Sequence, residues 1–582
     1  MESIDNIAME EQEWLENVYQ GEKMPELTLK VFIVGTVIGL LLISSNIYLG
    51  LKTGITQGGS VIAAIIAFAV IKSFKGKLSI LENNNTQTMA SAAASLGIMV
   101  STIPALILLG YEFSGFQLFI WIFFVNILGV LFAIPLRKQF VVIEKLTFPS
   151  GTACAETIKS MHAYGENALK KAKVLGITGL ISALISWFRD GIPAIIPSIT
   201  MLPGKIGSYA LGQLNMGINW SPMLFGVGFL VGPRIGISLL LGAVISWGIL
   251  GPLLANAQII EGVAYPQIRN WTMWAAIALM VSSAIVSLLV KGNTISRAFK
   301  SLRQSKLESA HNIEISSNLW FISIFLVAVI ISVVMQAIFD VPFWMTLIAI
   351  IVAYLFSVVA VRTYGETDIN PVGAMGYGTQ ILYGGIAPGN MMTNVMTAGV
   401  TASGANQSAD MMQDFKTGYL LGATPKKQTY AQFIGVTIGS IAAVPIFLAM
   451  TSAYGIATEA MPAPSAQTWF GMAKLLSQGF SALPPYTFIG VLCGTFLGIV
   501  LTIFENTRWE KYMPSTFGIG IAMFLPAFFS ISIFLGSIIR YLIERKFPNW
   551  MKNHFVALAS GGIVGEAVIG VLISILMVSG LL

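Results

Sequence analysis

Carboxylate, amide and hydroxyl side chains occur in four polar stretches that are flanked by long apolar runs. One of them, TASGANQSADMMQDFK from Thr401, places Gln407, Asp410 and Asp414 on one helical face by their i, i+3 and i+7 spacing. An ionised aspartate at the centre of a bilayer costs ~2.5–3.5 kcal/mol, so these carboxylates are expected to face protein or an aqueous path. Desolvation favours the neutral carboxyl, which would let Asp410 take up and release protons. Alternatively, an aqueous loop on the cytosolic side contains Asp414, Lys416, Lys426 and Lys427.

A second stretch, RTYGETDINPVGAMGYGTQ from Arg362, carries Tyr364, Asp368 and Asn370 ahead of a proline. Proline disfavours helix for the residue before it, so a helix is expected to break here. At membrane depth, irregular backbone survives only inside protein or beside a water-filled cavity. We therefore expect Asp368 to exchange protons, and Tyr364 and Asn370 to contact a substrate. A simple turn at Asp368 is the alternative.

Amide side chains recur in two stretches that align with each other. LENNNTQTMASAAAS begins at Leu81, and its asparagines match NMMTNVMTAGVTA, which begins at Asn390. In a helix, Asn83 and Gln87 share a face, as do Asn390 and Asn394. An N-cap role is the alternative for the asparagine run. With the stretch SNIYLGLKTG and the first stretch included, the expected substrate contacts are Tyr48, Asn83, Thr86, Gln87, Asn390, Asn394 and Gln407.

Two further acids occur outside these stretches. EKLTFPSGTACAETIKSM, from Glu144, has Pro149 and small residues where a helix would start, and contains Glu156. A re-entrant helix whose N-terminus points into the membrane attracts anionic groups, so Glu156 is placed near the expected substrate site. Glu566, in GGIVGEAVIG, is the most isolated acid of the chain and is a third candidate for proton coupling. A hydrogen-bonded packing role is its alternative.

The composition indicates which elements must position these side chains. Of 582 residues, 55% are hydrophobic and 10% are charged, whereas about a quarter of a soluble domain is charged. Apolar runs of about 20 residues, long enough to span a bilayer, recur along the chain. The sequence therefore predicts an all-α polytopic membrane protein with about 14 to 16 transmembrane segments, several of them broken or re-entrant.

The order of polar and apolar segments predicts four parts. These are a cytosolic tail at 1–28, a transmembrane half at 29–290, a basic cytosolic linker at 291–318 and a second transmembrane half at 319–582. Basic residues at segment ends support this topology, because cytosolic loops carry an excess of lysine and arginine.

The aligned stretches predict that the two halves are an internal repeat, as is usual for secondary transporters. The repeat orientation stays open. Tyr48 and its counterpart Tyr364 indicate inversion, whereas the Lys-Lys pairs at 170–171 and 426–427 indicate the reverse.

Several classes of protein are excluded by what the sequence lacks. The two cysteines suggest no disulfide framework, and the three histidines show no metal-ligand spacing. Neither a His-Glu-x-x-His zinc motif nor a Gly-x-x-x-x-Gly-Lys-Ser/Thr loop occurs. We therefore expect no enzyme, resident cofactor or metal, and no binding of nucleic acid.

Four segments together resemble one family. FPSGTACAETIKS, GETDINPVGAMGYGTQ, SADMMQDFKTGYLLGATPKKQ and NIYLGLKTG are similar to segments of the oligopeptide transporter (OPT) family, and the resemblance covers about Leu29 to Leu582. The chain looks like a prokaryotic member that is related to the yellow-stripe-like branch. The resemblance implies a secondary transporter of roughly 16 segments that imports small peptides, or metals bound to chelators, with protons.

The expected function is proton-coupled symport of small oligopeptides or peptide-like compounds. Transport of metal-chelate complexes is the alternative, and a passive channel is a more remote one. We expect a multi-pass protein of the cytoplasmic membrane whose partners are its substrate, protons and lipid. A homo-oligomer is left open.

Overall fold

The computed structural model describes residues 4–56, 59–73, 76–163, 165–290, 313–368 and 370–582. Most of the basic linker predicted at 291–318 therefore lies outside the described residues. The described chain is helical apart from two small antiparallel strand pairs, β1 with β4 and β2 with β3. The strands are β1 (Ile199–Met201), β2 (Lys205–Ile206), β3 (Tyr209–Ala210) and β4 (Gly217–Asn219).

The α-helices follow one another along the chain, and the four strands lie between the eighth and the ninth helix. In the first half they are α1 (Ile4–Asn17), α2 (Leu29–Thr53), α3 (Ser60–Ser73), α4 (Ile80–Ala94), α5 (Thr102–Leu108), α6 (Gly115–Arg137), α7 (Pro149–Ala163), α8 (Gly165–Asp190), α9 (Pro222–Ala243), α10 (Gly251–Asn256) and α11 (Tyr265–Val290). In the second half they are α12 (Ser317–Phe339), α13 (Phe343–Thr367), α14 (Val372–Ile386), α15 (Met391–Leu421), α16 (Pro425–Tyr454), α17 (Pro464–Gln478), α18 (Thr487–Glu505), α19 (Thr516–Ala522), α20 (Ala527–Lys546) and α21 (Pro548–Val578).

The prediction of an all-α polytopic membrane protein is confirmed. Within the described residues, twelve helices are long and apolar enough to cross a membrane by length and composition. The total of 14 to 16 segments stays a prediction, since this criterion counts apolar helices only. The polar helix α15 is not one of the twelve, although it is 31 residues long and mostly buried. Its many amide, hydroxyl and carboxylate side chains keep its hydropathy low.

The polar helix α15 is the centre around which the site is built. The hydroxyls of Thr397, Thr401 and Thr417 donate to carbonyls one turn earlier, at 2.7, 3.3 and 3.0 Å, which satisfies them inside the protein. A glycine on a neighbouring helix lets it approach closely: a Cβ on Gly129 of α6 would lie 2.7 Å from the Cβ of Gln407. Small residues at helix contacts and internally satisfied hydroxyls together allow a polar helix to be buried.

A long helix, a short helix and a polar buried helix follow one another twice. They are α2, α3 and α4, with 25, 14 and 15 residues, and α13, α14 and α15, with 25, 15 and 31 residues. This order supports the predicted internal repeat, but the aligned asparagines are not equivalent. Asn390 is the N-cap of α15, whereas Ser79 is the N-cap of α4 and Asn83 lies a turn inside that helix.

A broken helix, which the sequence predicts, is seen in α9. Gly232 has φ 75° and ψ 179°, which is outside the helical region, and Pro233 follows it. Arg540 of α20 donates its Nη1 to the carbonyls of Phe229 and Leu230 at 2.5 and 3.2 Å. The guanidinium thus satisfies carbonyls that the break deprives of helical partners.

The described part of the N-terminal tail packs on the turn between α15 and α16. Trp14 stacks on Tyr419 with 5.0 Å between ring centroids and donates to its carbonyl at 3.0 Å. Glu26, 2% exposed, accepts hydrogen bonds from the backbone and hydroxyl of Thr424 at 3.0 and 2.5 Å. Lys427 lies 3.2 Å from the same carboxylate. The tail therefore caps the start of α16.

Candidate functional site

A cavity of about 560 Å³ lies among α2, α3, α4, α9, α15 and α21. One part of its lining, here called the acidic wall, comes from α15 and from the junction between α13 and α14. A second part, here called the apolar wall, comes from α2, α9 and α21. The acidic wall consists of Tyr364, Asp368, Asn370, Asn406, Asp410 and Gln413, and the apolar wall includes Ile43, Ile47, Val227, Leu230, Val231 and Val556.

Asp410 faces the cavity beside a pair of asparagines. Asn406 Nδ2 lies 3.3 Å from Asp410 Oδ2 and also donates to the Ser95 carbonyl at 3.1 Å. Asn370 Nδ2 donates to Asn406 Oδ1 at 3.2 Å, which joins the α13–α14 junction to α15. The two hydrogen-bonded amides, Asn370 and Asn406, thus lie beside the Asp410 carboxylate, and all three residues line the cavity.

Asp414 lies one helical turn beyond Asp410 and directly behind the cavity lining. It is 1% exposed, so the aqueous-loop alternative for it is wrong. Ser60 of α3 and Ser91 of α4 donate to its two oxygens at 3.1 and 2.8 Å. Because a serine hydroxyl both donates and accepts, these partners fit the charged and the neutral carboxyl equally well.

Asp368 is held differently, as a cap on a neighbouring helix. Its two oxygens accept from the backbone N–H of Ser150 at 3.1 Å and from the Ser150 hydroxyl at 2.7 Å. Gln413 Nε2 donates to it at 2.8 Å. A carboxylate at a helix N-terminus is stabilised by the unpaired N–H groups and the helix dipole. Asp368 therefore fixes the start of α7 against α15.

Further bonds tie the start of α7 to the end of α13. The Gly365 carbonyl accepts from Phe148 N and Thr147 Oγ1, both at 2.9 Å. Arg362 lies 2.8 Å from the carboxylate of Glu144. Three residues of this junction that are not glycine have positive φ: Lys145 at 49°, Phe148 at 42° and Asp368 at 59°. Such backbone is costly for L-residues and is concentrated at functional sites.

Four of the predicted site residues line this cavity, namely Tyr364, Asp368, Asn370 and Asp410. Asn83, Thr86 and Gln87 are instead fully buried in α4. Gln87 Nε2 lies 3.3 Å from Asn84 Oδ1 and 3.1 Å from Thr88 Oγ1 in its own helix, and the Gln87 side chain also bonds to Asp414 behind the cavity lining.

The remaining amides of the prediction have local partners or lie in helix contacts. Asn390 accepts from Thr393 N at 2.9 Å as the cap of α15. Asn394 Nδ2 donates to the Gln380 carbonyl at 2.6 Å. Gln407 is fully buried and is not among the residues that line the cavity. Glu156 is exposed on α7.

Glu566 and Tyr48 belong to a second buried polar cluster. Glu566 is 0% exposed and lies 2.9 Å from Arg189 and 4.0 Å from Lys52. It also accepts from Ser221 Oγ at 2.7 Å and Met223 N at 2.9 Å, at the start of α9. Lys52 donates to the Tyr48 hydroxyl at 2.6 Å. This cluster joins α2, α8, α9 and α21.

The sequence prediction missed residues that the structure places in or beside the cavity. They are Asn406 and Gln413 on α15, and the hydroxyls of Ser60 and Ser91 that meet Asp414, a residue that the sequence pattern left between the polar face and a loop. A usable signal was present, because 406, 410 and 413 follow i, i+4 and i+7 spacing and so share a helical face. The predicted face used 407 in place of 406.

The described residues contain no group of three or more His, Cys, Asp or Glu side chains that could hold a metal ion. The chemistry that the acidic wall offers is hydrogen bonding, attraction of cations and exchange of protons at carboxyl groups.

Comparison with known proteins places the chain in a family. The model of the OPT oligopeptide transporter proteins matches residues 26–577. A “Putative oligopeptide transporter” of Haemophilus influenzae is 28% identical, over 91% of this chain and 92% of the relative. A “Putative oligopeptide transporter” of Saccharomyces cerevisiae is 26% identical, over 94% of this chain and 96% of the relative. A “Probable metal-nicotianamine transporter” of Oryza sativa subsp. japonica is 25% identical, over 95% and 86%. The chain therefore belongs to the OPT family and is a multi-pass membrane transporter.

Proposed function

We propose that the protein is a secondary active transporter that carries small oligopeptides or peptide-like compounds together with protons. The observation that carries the proposal is the cavity of about 560 Å³, which combines carboxylates, amides and an apolar wall. Ligand sites are typically cavities of ~300–1,000 Å³ with a few polar groups in an apolar lining. Amides and carboxylates match the donors and acceptors of a peptide backbone.

The proton is assigned to Asp410 and Asp414 as a pair. The two carboxyls lie one turn apart on the same helix and repel each other when both are ionised, so one shared proton relieves the repulsion. Asp414 has serine partners that suit either protonation state. Asp368 is less suited to this role, because it caps α7 through two bonds from Ser150.

Alternating access would change how the elements around the cavity pack. Short helices α3, α7 and α14 begin beside it, and α9 is broken near it at Gly232. Broken and short helices at the interface of two repeats are the usual parts that move in secondary transporters. Coupling requires that the proton and the substrate both bias the same pair of conformations.

Transport of a metal-chelate complex is the second candidate. Relatives described as metal-nicotianamine transporters match nearly the whole chain. The lack of a metal-ligand cluster in the described residues fits a substrate that brings its own ligands. We propose the cytoplasmic membrane as the location and the two predicted halves as the units that move.

Uptake into proteoliposomes tests the proposal. Purified protein is reconstituted, and labelled peptides and labelled ferric or nickel chelates are supplied with and without an imposed pH gradient. Peptide uptake that rises with an inward proton gradient is the expected result. Uptake of chelates alone selects the second candidate, and uptake that ignores the gradient contradicts proton coupling.

A further inference from the structure

We infer that the cavity recognises a positively charged ammonium group of its substrate at Asp410, so that a peptide needs a free amino terminus but not a free carboxylate. The inference rests on the proposed function and specifies which end of a peptide the site binds.

The charge of the cavity supports this orientation. Among the described residues that line it, the charged side chains are Asp368 and Asp410, and no lysine, arginine or histidine is present. Arg362, the arginine nearest to Asp368 in the sequence, is paired with Glu144 at 2.8 Å and with Glu366 at 3.0 Å. A bound carboxylate would therefore meet carboxylates without a cation to pair with, whereas an ammonium would meet a complementary charge.

The two carboxylates of the acidic wall are not equivalent. Asp368 accepts bonds from Ser150 and Gln413 at 2.7 to 3.1 Å and is committed to the start of α7. Asp410 is held by side chains alone among the described residues, namely the Asn406 amide at 3.3 Å and the Ser95 side chain. An ammonium has three donors and makes strong charge-assisted bonds to a carboxylate. Asp410 and the carbonyl oxygens of the neighbouring asparagines are suitable acceptors for them.

The proton and the ammonium need not compete for one group. If the shared proton lies on Asp414, Asp410 stays ionised and pairs with the ammonium. The pair then carries one proton and one substrate cation, and both negative charges are neutralised. Carrying both charges neutralised through a low-dielectric interior is far less costly than carrying either uncompensated.

A second feature of the cavity points to a bound molecule. Ser560 of α21 lines the cavity, is 0% exposed, and its hydroxyl has no hydrogen-bond partner among the described residues. A buried hydroxyl that lacks a partner is costly, so a ligand group that bonds to it gains affinity. Ser560 lines the same cavity as Val556 of the apolar wall, and its hydroxyl is suited to a peptide carbonyl or to a neutral C-terminal amide.

The experiment compares three forms of one peptide: trialanine, N-acetyl-trialanine and trialanine amide. Each competes with labelled trialanine for uptake into proteoliposomes, and binding to the detergent-purified protein is measured in parallel. The acetyl form lacks the ammonium and is expected to compete at least about tenfold less well, since a hydrogen bond to a charged group contributes ~1.5–3 kcal/mol. The amide form is expected to compete as well as trialanine.

Variants assign the effect to one carboxylate. Asp410→Asn should no longer distinguish trialanine from its acetyl form, and Asp410→Glu should restore the distinction. Ser560→Ala should weaken the binding of all three forms by the same factor. Glu112→Gln, which removes an exposed acid outside the cavity lining, is the matched control and should keep the wild-type preference.

Equal competition by the acetylated and the free peptide overturns the inference while the proposed transport stands. Preference for the free peptide in the binding measurement, without uptake, supports the inference and overturns the transport proposal. Absence of both binding and uptake for trialanine contradicts both. Loss of preference in Glu112→Gln would also overturn the assignment to Asp410.

Discussion

Two buried acidic regions of this transporter differ in what surrounds their carboxylates. Glu566 meets Arg189 at 2.9 Å, Ser221 Oγ at 2.7 Å and the N–H of Met223 at 2.9 Å. Asp410 lies instead against a cavity whose described lining holds no cation. A carboxylate saturated by a guanidinium and hydrogen bonds is fixed in its charged form, whereas one beside open space can exchange partners. The comparison shows that Glu566 joins helices, and it supports the proposal that the Asp410–Asp414 pair carries the proton.

The largest effect is expected from Glu566→Gln. It removes the carboxylate that Arg189 and Lys52 share and leaves Arg189 with Asp190, at 2.5 Å, as its acidic partner. Removing one partner of a buried ion pair typically costs ~3–5 kcal/mol, and Asp190 should keep the loss near the lower end. Thermal unfolding of the purified protein in detergent measures the loss. The double variant Glu566→Gln/Arg189→Gln should recover part of the stability, because the buried guanidinium that has lost one of its two acidic partners is removed. A stable Glu566→Gln protein whose uptake ignores pH would move the coupling role to this cluster.

Asp414→Asn is expected to separate coupling from stability. The amide keeps hydrogen-bonding capacity toward Ser60 and Ser91 but cannot be ionised. Peptide uptake should therefore lose its acceleration by an inward proton gradient, while counterflow exchange of peptide without a gradient continues. The free energy of unfolding should change by about 1 kcal/mol or less, since one buried neutral hydrogen-bonded group replaces another. Gradient-driven uptake at the wild-type rate would exclude Asp414 as a proton carrier.

A smaller effect on uptake is expected from Asp368→Ala. It removes the acceptor for Ser150 N and Ser150 Oγ at the start of α7, and loss of a helix cap costs ~0.5–2 kcal/mol. Asp368→Asn keeps an oxygen acceptor and should retain more of the stability. The maximal uptake rate should fall with the alanine variant more than with the asparagine variant. Equal loss in both would indicate that the charge, and not the cap, is what matters.

The sequence predicted the cavity residues Asp368 and Asp410 because two physical arguments coincide there. A charged side chain in an apolar chain must face an interior, and the proline after Asn370 predicts irregular backbone that must line a cavity. The all-α polytopic fold followed from the length of the apolar runs. Such arguments use only local composition, which is why they succeeded without knowledge of the partners.

The same arguments could not distinguish Glu566 from Asp410. Its partner Arg189 lies 377 residues away in the sequence, and nothing in local spacing identifies that contact. The placement of Asp414 was left ambiguous for a related reason, since Lys416 and the lysine pair at 426–427 are typical of an aqueous loop. Partners contributed by distant helices are set by packing, and the sequence pattern of one helix does not contain them.

The smallest effect is expected at Asn83. The sequence pattern predicts that Asn83→Leu raises the apparent substrate constant, but the structure places this side chain fully buried in α4 and outside the cavity lining. Neither amide atom has a hydrogen-bond partner among the described residues. Replacing an unsatisfied buried amide by an apolar group of similar size is near neutral or stabilising. Uptake should keep its substrate constant, and the unfolding temperature should stay or rise. A raised constant with unchanged stability would place Asn83 on the substrate path and weaken the contrast between the cavity carboxylates and the rest of the polar interior.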